Sequence, residues 1–263
     1  MPRKTTTEPG TDDLPDESNG LPPGIALAWG LNTQPKRGPK PGLSLERLVT
    51  AGIKVALTEG TGALSMSRIA KELGVATMSL YRYVSSKDEL LTLMVDKALG
   101  TPPIPSDQED WRAGLTGWAL GVRAAYRRHP WGLRVPITEP PLGPNNVAWL
   151  EAALHSLADT PLSEQHKVSS VLLISGYVRS QAMLAADIDA ASAAGPARLS
   201  YGRLLARLTD DGHYPSIHRV IDSGAFDDGD DLDADFDYGL ARILDGIENF
   251  IRPSRSKRVR PRT

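Results

Sequence analysis

The sequence predicts an all-α fold divided into two helical parts. Three observations carry this. Apolar residues recur three and four positions apart through most of the chain after Leu43, the spacing that lines one side of a helix. No stretch alternates apolar and polar residues long enough to make a strand. Gly100, Pro102, Pro103 and Pro105 interrupt the helical pattern and separate a basic front part from a longer back part.

Composition supports the division. The 263 residues, 40% hydrophobic, are enough for one large domain or two modest ones with a real core. No run of 18 apolar residues and no leader in the first 30 are visible, so a cytoplasmic protein without a membrane partner is expected. With no cysteine, a disulfide framework and a thiolate metal site are excluded. The net charge of -2 hides a segregation. Lys36 to Lys97 holds ten Lys/Arg against six Asp/Glu, whereas Asp210 to Asp237 holds ten acids against Arg219. A basic front on a near-neutral whole is the footprint of a polyanion-binding part joined to a part with another task.

Residues 1–42 are rich in Pro, Gly, Thr and Asp, with "GIALAWGL" as their one apolar stretch, and are expected to be a disordered arm. Its basic end, Lys36, Arg37 and Lys40, is either a strand along a phosphate backbone or a solvated linker. The first domain, 43–100, opens with "LSLERLVTAGIKVALTEG", where Ser44 is the cap and Leu43 and Leu48 occupy staple positions around it. A short helix follows, capped by Ser65, burying Ile69, Ala70 and Leu73, and stopped by Gly74. After a three-residue turn comes "TMSLYRYV", and Ser86 with Glu89 forms a capping box for a helix running to about Leu99. Two short helices joined by a glycine turn inside a four-helix unit make a helix-turn-helix.

The second domain, 106–252, is expected to hold helices near 107–128, 145–158, 163–189, 197–209, 215–223 and 234–252, followed by a basic tail, 253–263. The apolar stripe Phe236, Leu240, Ile243, Leu244, Ile247, Phe250 and Ile251 is wider than a lone terminal helix needs, and with the 163–189 helix it supplies a pair for a dimer.

Taken as an α-helix, "TMSLYRYV" docks through Leu80 and Val84 and leaves Thr77, Met78, Ser79, Arg82 and Tyr83 outward. Entering a major groove N-terminus first, it presents Thr77, Met78 and Ser79 to base edges and Arg82 and Tyr83 to bases or phosphates. Lys87 adds a cation to the amides of the next helix start, and Tyr81 divides between bundle and backbone. Ser65 and Ser67 complete the candidate DNA-binding set.

These residues carry a resemblance. Leu73-Gly74-Val75, Leu80-Tyr81, Tyr83 and Lys87 follow the pattern of the DNA-binding domain of the TetR family of transcriptional repressors, with Ala76-Thr77 standing where relatives often have Ser-Pro. "RRHPW", "PPLGPN", "LLISGYVRSQ" and "YGLARILDGIE" resemble the tetracycline-repressor-like C-terminal class. The resemblance implies a homodimer on an inverted-repeat, double-stranded operator, released by a small molecule held in the C-terminal domain. An all-helical scaffold or small-molecule binder without DNA affinity is the rival from another class.

Other patterns carry less. "GTGALS" follows a helix rather than a strand and is read as a loop. His213 and His218, five apart, do not share a helix face, and no metal or other cofactor is expected. "DDGDDLDAD" lacks a calcium-loop frame and is read as solvated, its last acids favouring the next helix start. No nucleophile elbow supports an enzyme. Candidates for lining an effector pocket are Trp111, Trp118, Tyr126, Trp131, Trp149 and Met183, with Arg123, His129, Asn146, His155 or Gln181 to orient the ligand.

Overall fold

Helices form along the expected periodicity, and the computed structural model, which describes residues 20–31, 42–103, 110–138, 140–193, 201–226 and 232–252, sorts them into two compact units. No strand occurs among the described residues. The first unit takes the chain up to Lys97 together with 137–144, and the second takes 98–136 and the chain from Asn145 onward.

In the first unit, α1 (Pro23–Ala28), α2 (Leu45–Glu59), α3 (Met66–Leu73) and α4 (Lys87–Leu99) surround a 3₁₀ helix, Thr77–Arg82. Ser44 and Ser65 cap α2 and α3, accepting from the N–H groups of Arg47 and Arg68 at 3.2 and 3.1 Å. Gly74 ends α3 in the left-handed conformation, φ +68°, a geometry that costs a side-chain-bearing residue about 1–2 kcal/mol. Leu48, Val55, Ile69, Leu80, Val84, Leu90 and Met94 are buried between these elements. Outside, the Arg68 guanidinium grips Glu59 and reaches Glu72, which also pairs with Lys54, tying α2 to α3.

The apolar run "GIALAWGL" departs from its expected place in a disordered arm. Pro23–Ala28 is a helix, and Ile25 and Ala26 are buried. The Gly24 N–H donates at 2.6 Å to Glu89, and the Trp29 indole N–H donates at 2.7 Å to the Leu142 carbonyl. These partners lie 65 and 113 positions away, so local composition carried no trace of them. Lys36, Arg37, Lys40 and the 253–263 tail lie outside the described residues.

The second unit contains α5 (Trp111–Arg128), a 3₁₀ helix Pro130–Arg134, α6 (Pro144–Ser156), α7 (Glu164–Ala193), α8 (Tyr201–Leu208), α9 (Pro215–Asp222) and α10 (Leu232–Ile251). Its core joins Leu115, Trp118 and Val122 of α5 to Trp149 of α6, Ile174 and Val178 of α7 and Phe236, Leu240 and Leu244 of α10. The close passage of α7 and α10 rests on Gly239, where a Cβ would stand 2.2 Å from the Tyr177 hydroxyl oxygen. That hydroxyl donates to the Phe236 carbonyl at 2.9 Å, and the two rings stack at 5.5 Å.

Candidate nucleic-acid interface

The segment expected to read DNA is tighter than an α-helix, and this redistributes its faces. It starts after Ala76, whose side chain makes no cap, so Thr77 is its first residue. In a 3₁₀ helix, side chains three apart eclipse. Thr77, Leu80 and Tyr83 therefore share one side, Met78 and Tyr81 the next, and Ser79 and Arg82 the third. Leu80 and Val84 are fully buried, as the α-helical reading also had it. Tyr83 differs. Its ring is 5% exposed and its hydroxyl donates at 2.8 Å to the Leu43 carbonyl, so it belongs to the packing of the unit and not to the outer face. The shorter period contributes: a 3.6-residue turn leaves residue 83 about 60° round from residue 80, at the margin of the buried face, and a three-residue turn brings it directly beneath residue 80.

What remains outside is a compact polar and amphipathic surface. Met78 is 74% exposed, Tyr81 and Arg82 are exposed, and Thr77 and Ser79 are half-buried. Lys87 is exposed at the first position of α4. Ser67 is exposed on α3, whereas Ser65 is engaged, accepting from the Arg68 N–H and lying 3.1 Å from the Ser67 hydroxyl.

The turn that joins the 3₁₀ helix to α4 is held by a buried carboxylate. Glu89 accepts from the Ser85 hydroxyl at 2.7 Å, from the Ser85 N–H, and from the Gly24 N–H, while its own N–H donates to the Ser86 hydroxyl at 3.0 Å. Half of the expected capping box is present. The carboxylate closes onto Ser85 and onto α1 rather than onto the Ser86 N–H. The positive end of α4 and three donors compensate its charge at 8% exposure.

In the second unit the candidate effector residues separate by whether their polar atoms are already engaged. The Trp118 indole donates to the Trp149 carbonyl at 2.7 Å, the Trp149 indole donates to the Gly100 carbonyl at 2.8 Å, and the two rings meet edge to face at 6.1 Å. Both are core. Arg123 is 6% exposed, lies 4.1 Å over the Phe236 ring and binds Asp233 at 2.6 Å, holding the start of α10. Asp233 also takes Arg127, whose hydrogen bond leads the causes that hold its carboxyl below the usual range. Trp111 and Tyr126 pack at the core margin, His155 is exposed, and Asn146, Gln181 and Met183 are half-buried.

His129 and Trp131 are different. The His129 Nδ1 and the Trp131 Nε1 are buried with no hydrogen-bond partner, and their rings meet edge to face at 6.2 Å. Burial, with Arg128 nearby, pushes the His129 imidazole below its ordinary value, so it is neutral at pH 7. Elsewhere, His213 binds Asp210 and His218 lies 3.1 Å from the Thr209 hydroxyl; no cluster of metal-ligating side chains occurs among the described residues. No helix among them is long and apolar enough to cross a membrane.

A short reading helix pinned from behind, exposed amphipathic and basic side chains in front, and a separate helical unit define a helix-turn-helix regulator. The chain belongs to the TetR family of bacterial regulatory proteins: residues 48–94 match that family's model, and residues 104–251 match the tetracyclin repressor-like C-terminal domain. It is a DNA-binding transcriptional regulator of that family. It is 38% identical to the HTH-type transcriptional repressor DrrR1 of Streptomyces coeruleorubidus, over 89% of this chain and 87% of that one. It is 29% identical to the class A tetracycline repressor from transposon 1721 of Escherichia coli, over 76% and 88% of the two chains. Among solved structures, Streptomyces coelicolor ActR in complex with actinorhodin aligns with a TM-score of 0.69 at 25% identity, covering 80% of this chain and 99% of that one.

Proposed function

We propose that the protein is a cytoplasmic repressor that binds an inverted-repeat operator as a homodimer and lets go when a small molecule occupies the second unit. The observation that carries the DNA half is the outward set Met78, Ser79, Tyr81, Arg82 and Lys87, fixed from behind by buried Leu80, Tyr83 and Val84. In this assignment Met78 and Ser79 meet base edges, while Arg82, Lys87, Tyr81 and Ser67 meet the backbone, and Thr77, half-buried on the side of Leu80 and Tyr83, leaves the base-reading set. Tyr83 and Ser65 leave the contact set, because each already has its partner.

A two-fold dimer places its reading helices about 34 Å apart, one turn of DNA. Support for a second copy comes from apolar side chains that face outward on α7 and α10: Leu172 at 65%, Leu173 at 55% and Tyr238 at 67% exposure. For the effector, the two unpaired nitrogens of His129 and Trp131 support a polar anchor in the second unit, since buried polar groups left without partners are rare. An indole donor beside a neutral imidazole suits a ligand hydroxyl, which both accepts and donates. Trp118, Trp149 and Arg123 are assigned to packing instead.

The test is a salt series. Binding of a duplex selected from random DNA by the wild-type chain is measured by anisotropy from 50 to 300 mM salt. Lys87→Ala is expected to lower the slope of log K against log salt by about 0.9, the loss of one phosphate contact. Met78→Ala is expected to keep the slope and change the selected sequence. An unchanged slope for Lys87→Ala removes that residue from the interface.

A further inference from the structure

Residues 20–31 lie outside both family-model matches, yet they close over the turn that carries the DNA-reading helix. Three chain segments meet within the first unit. Gly24 of α1 gives its N–H to Glu89, the carboxylate that holds the 85–86 turn. A Cβ at Gly24 would stand 2.7 Å from the Leu93 Cδ1, 2.9 Å from the Glu89 Oε1 and 3.0 Å from the Tyr83 carbonyl, so a side chain here would require these neighbours to shift. Just past α1, Trp29 gives its indole N–H to the Leu142 carbonyl. Leu142 belongs to 137–144, a segment whose chain arrives from the second unit and returns to it. Its next residue, Gly143, is buried on α4, where a Cβ would come within 2.1 Å of Asp96.

We propose that residues 20–31 are a latch that joins the 137–144 segment to the turn before α4, making operator affinity depend on Gly24 and Trp29, which lie outside the assigned DNA-contact set. The 137–144 segment is covalently continuous with the second unit at both ends, so a rearrangement there reaches it through the backbone. The latch then carries that pull to Glu89 and to the turn between Arg82 and Lys87. The connection is made by a few directed bonds and not by a solid apolar contact: a cleft of about 320 Å³ lies among Pro22, Ile25, Ser86, Thr92, Thr138 and Pro140. Such a contact is breakable, as a coupling element must be.

This inference rests on the DNA-binding reading above, and linkage makes it testable. If a closed latch favours operator binding, operator binding closes the latch by the same factor. Hydrogen exchange is measured on the full chain, free and bound to the selected duplex, for wild type, Trp29→Phe and Gly24→Ala. Wild type is expected to gain protection on DNA at 20–31 and 137–144 as well as at 77–90. Trp29→Phe keeps the ring and removes one donor, so exchange at 137–144 in the bound form should rise about two- to tenfold and operator affinity should fall by a similar factor, with the distant α8 unchanged. Gly24→Ala should weaken operator binding about fivefold under conditions where circular dichroism shows it folded. If Gly24→Ala does not fold, Trp29→Phe decides alone. Operator binding with no added protection at 20–31 and 137–144, or a Trp29→Phe profile identical to wild type, overturns the latch. Absence of DNA binding by wild type overturns the DNA reading instead.

Discussion

Tyr83→Phe separates two roles for one residue. The substitution removes a single oxygen from a side chain 5% exposed and leaves the Leu43 carbonyl without the donor now 2.8 Å away. A buried acceptor stripped of its partner costs about 1–3 kcal/mol, and the ring still fills its site, so the loss should fall near the lower end, about 1–2 kcal/mol. Urea unfolding followed by circular dichroism should show that decrease with an unchanged m-value. Operator affinity, measured by anisotropy where both proteins are folded, should stay within about twofold, since the hydroxyl faces away from DNA in the assigned docking. Had the residue stood on the outer face of a regular α-helix, the same change would leave stability alone and weaken DNA binding. A variant as stable as wild type with operator affinity lowered tenfold would refute the buried assignment.

Three further outcomes are expected. Leu172→Glu puts a charge on an outward apolar position of α7 and should shift sedimentation at micromolar concentration toward a monomer, with circular dichroism unchanged; a dimer of wild-type strength would place the interface elsewhere. Gly239→Ala drives a methyl group into the Tyr177 ring, 2.6 Å from its Cζ, and should lower stability by about 1–3 kcal/mol in urea melts, while Gly246→Ala, which meets nothing within 4 Å, should not. Glu59 is held below its ordinary value of 4.5 by its hydrogen bonds from Arg68, and Glu72 by Lys54 first and Arg68 second. Depressed carboxylates add stability above that value and lose it as pH falls through their folded values, so wild type should lose stability below about pH 4.5 more steeply than Arg68→Met. Parallel acid limbs for the two proteins would deny the network that role.

Much of the architecture was legible because it is written locally. Ser44 and Ser65 cap the helices their positions announced, and Gly74 adopts the left-handed turn that ends α3. The apolar periods placed α5, α6, α7 and α10 within a few residues of where they stand, and the last acids of the 227–235 run, Asp233 and Asp235, do open α10. Each of these features is decided within one or two turns of chain, where side-chain spacing and backbone hydrogen bonding act directly.

The roles of the aromatic and basic residues in the recognition segment were settled by tertiary packing. Whether the segment turns every 3.6 residues or every three is a matter of less than 1 Å of rise per residue, and the surrounding packing, with Leu43 waiting for the Tyr83 hydroxyl, sides with three. The same holds for the effector candidates. Nothing in the spacing of five tryptophans tells a satisfied indole such as Trp118 from an unsatisfied one such as Trp131; that depends on a carbonyl 31 positions away. The run "GIALAWGL" reads as too short to order itself, and alone it is. It becomes a helix because Glu89 and Leu142 stand ready across the fold, so the sequence by itself determined most of the helices and their caps, and the tertiary structure decided that α1 forms, which faces are buried and which segments are tied together.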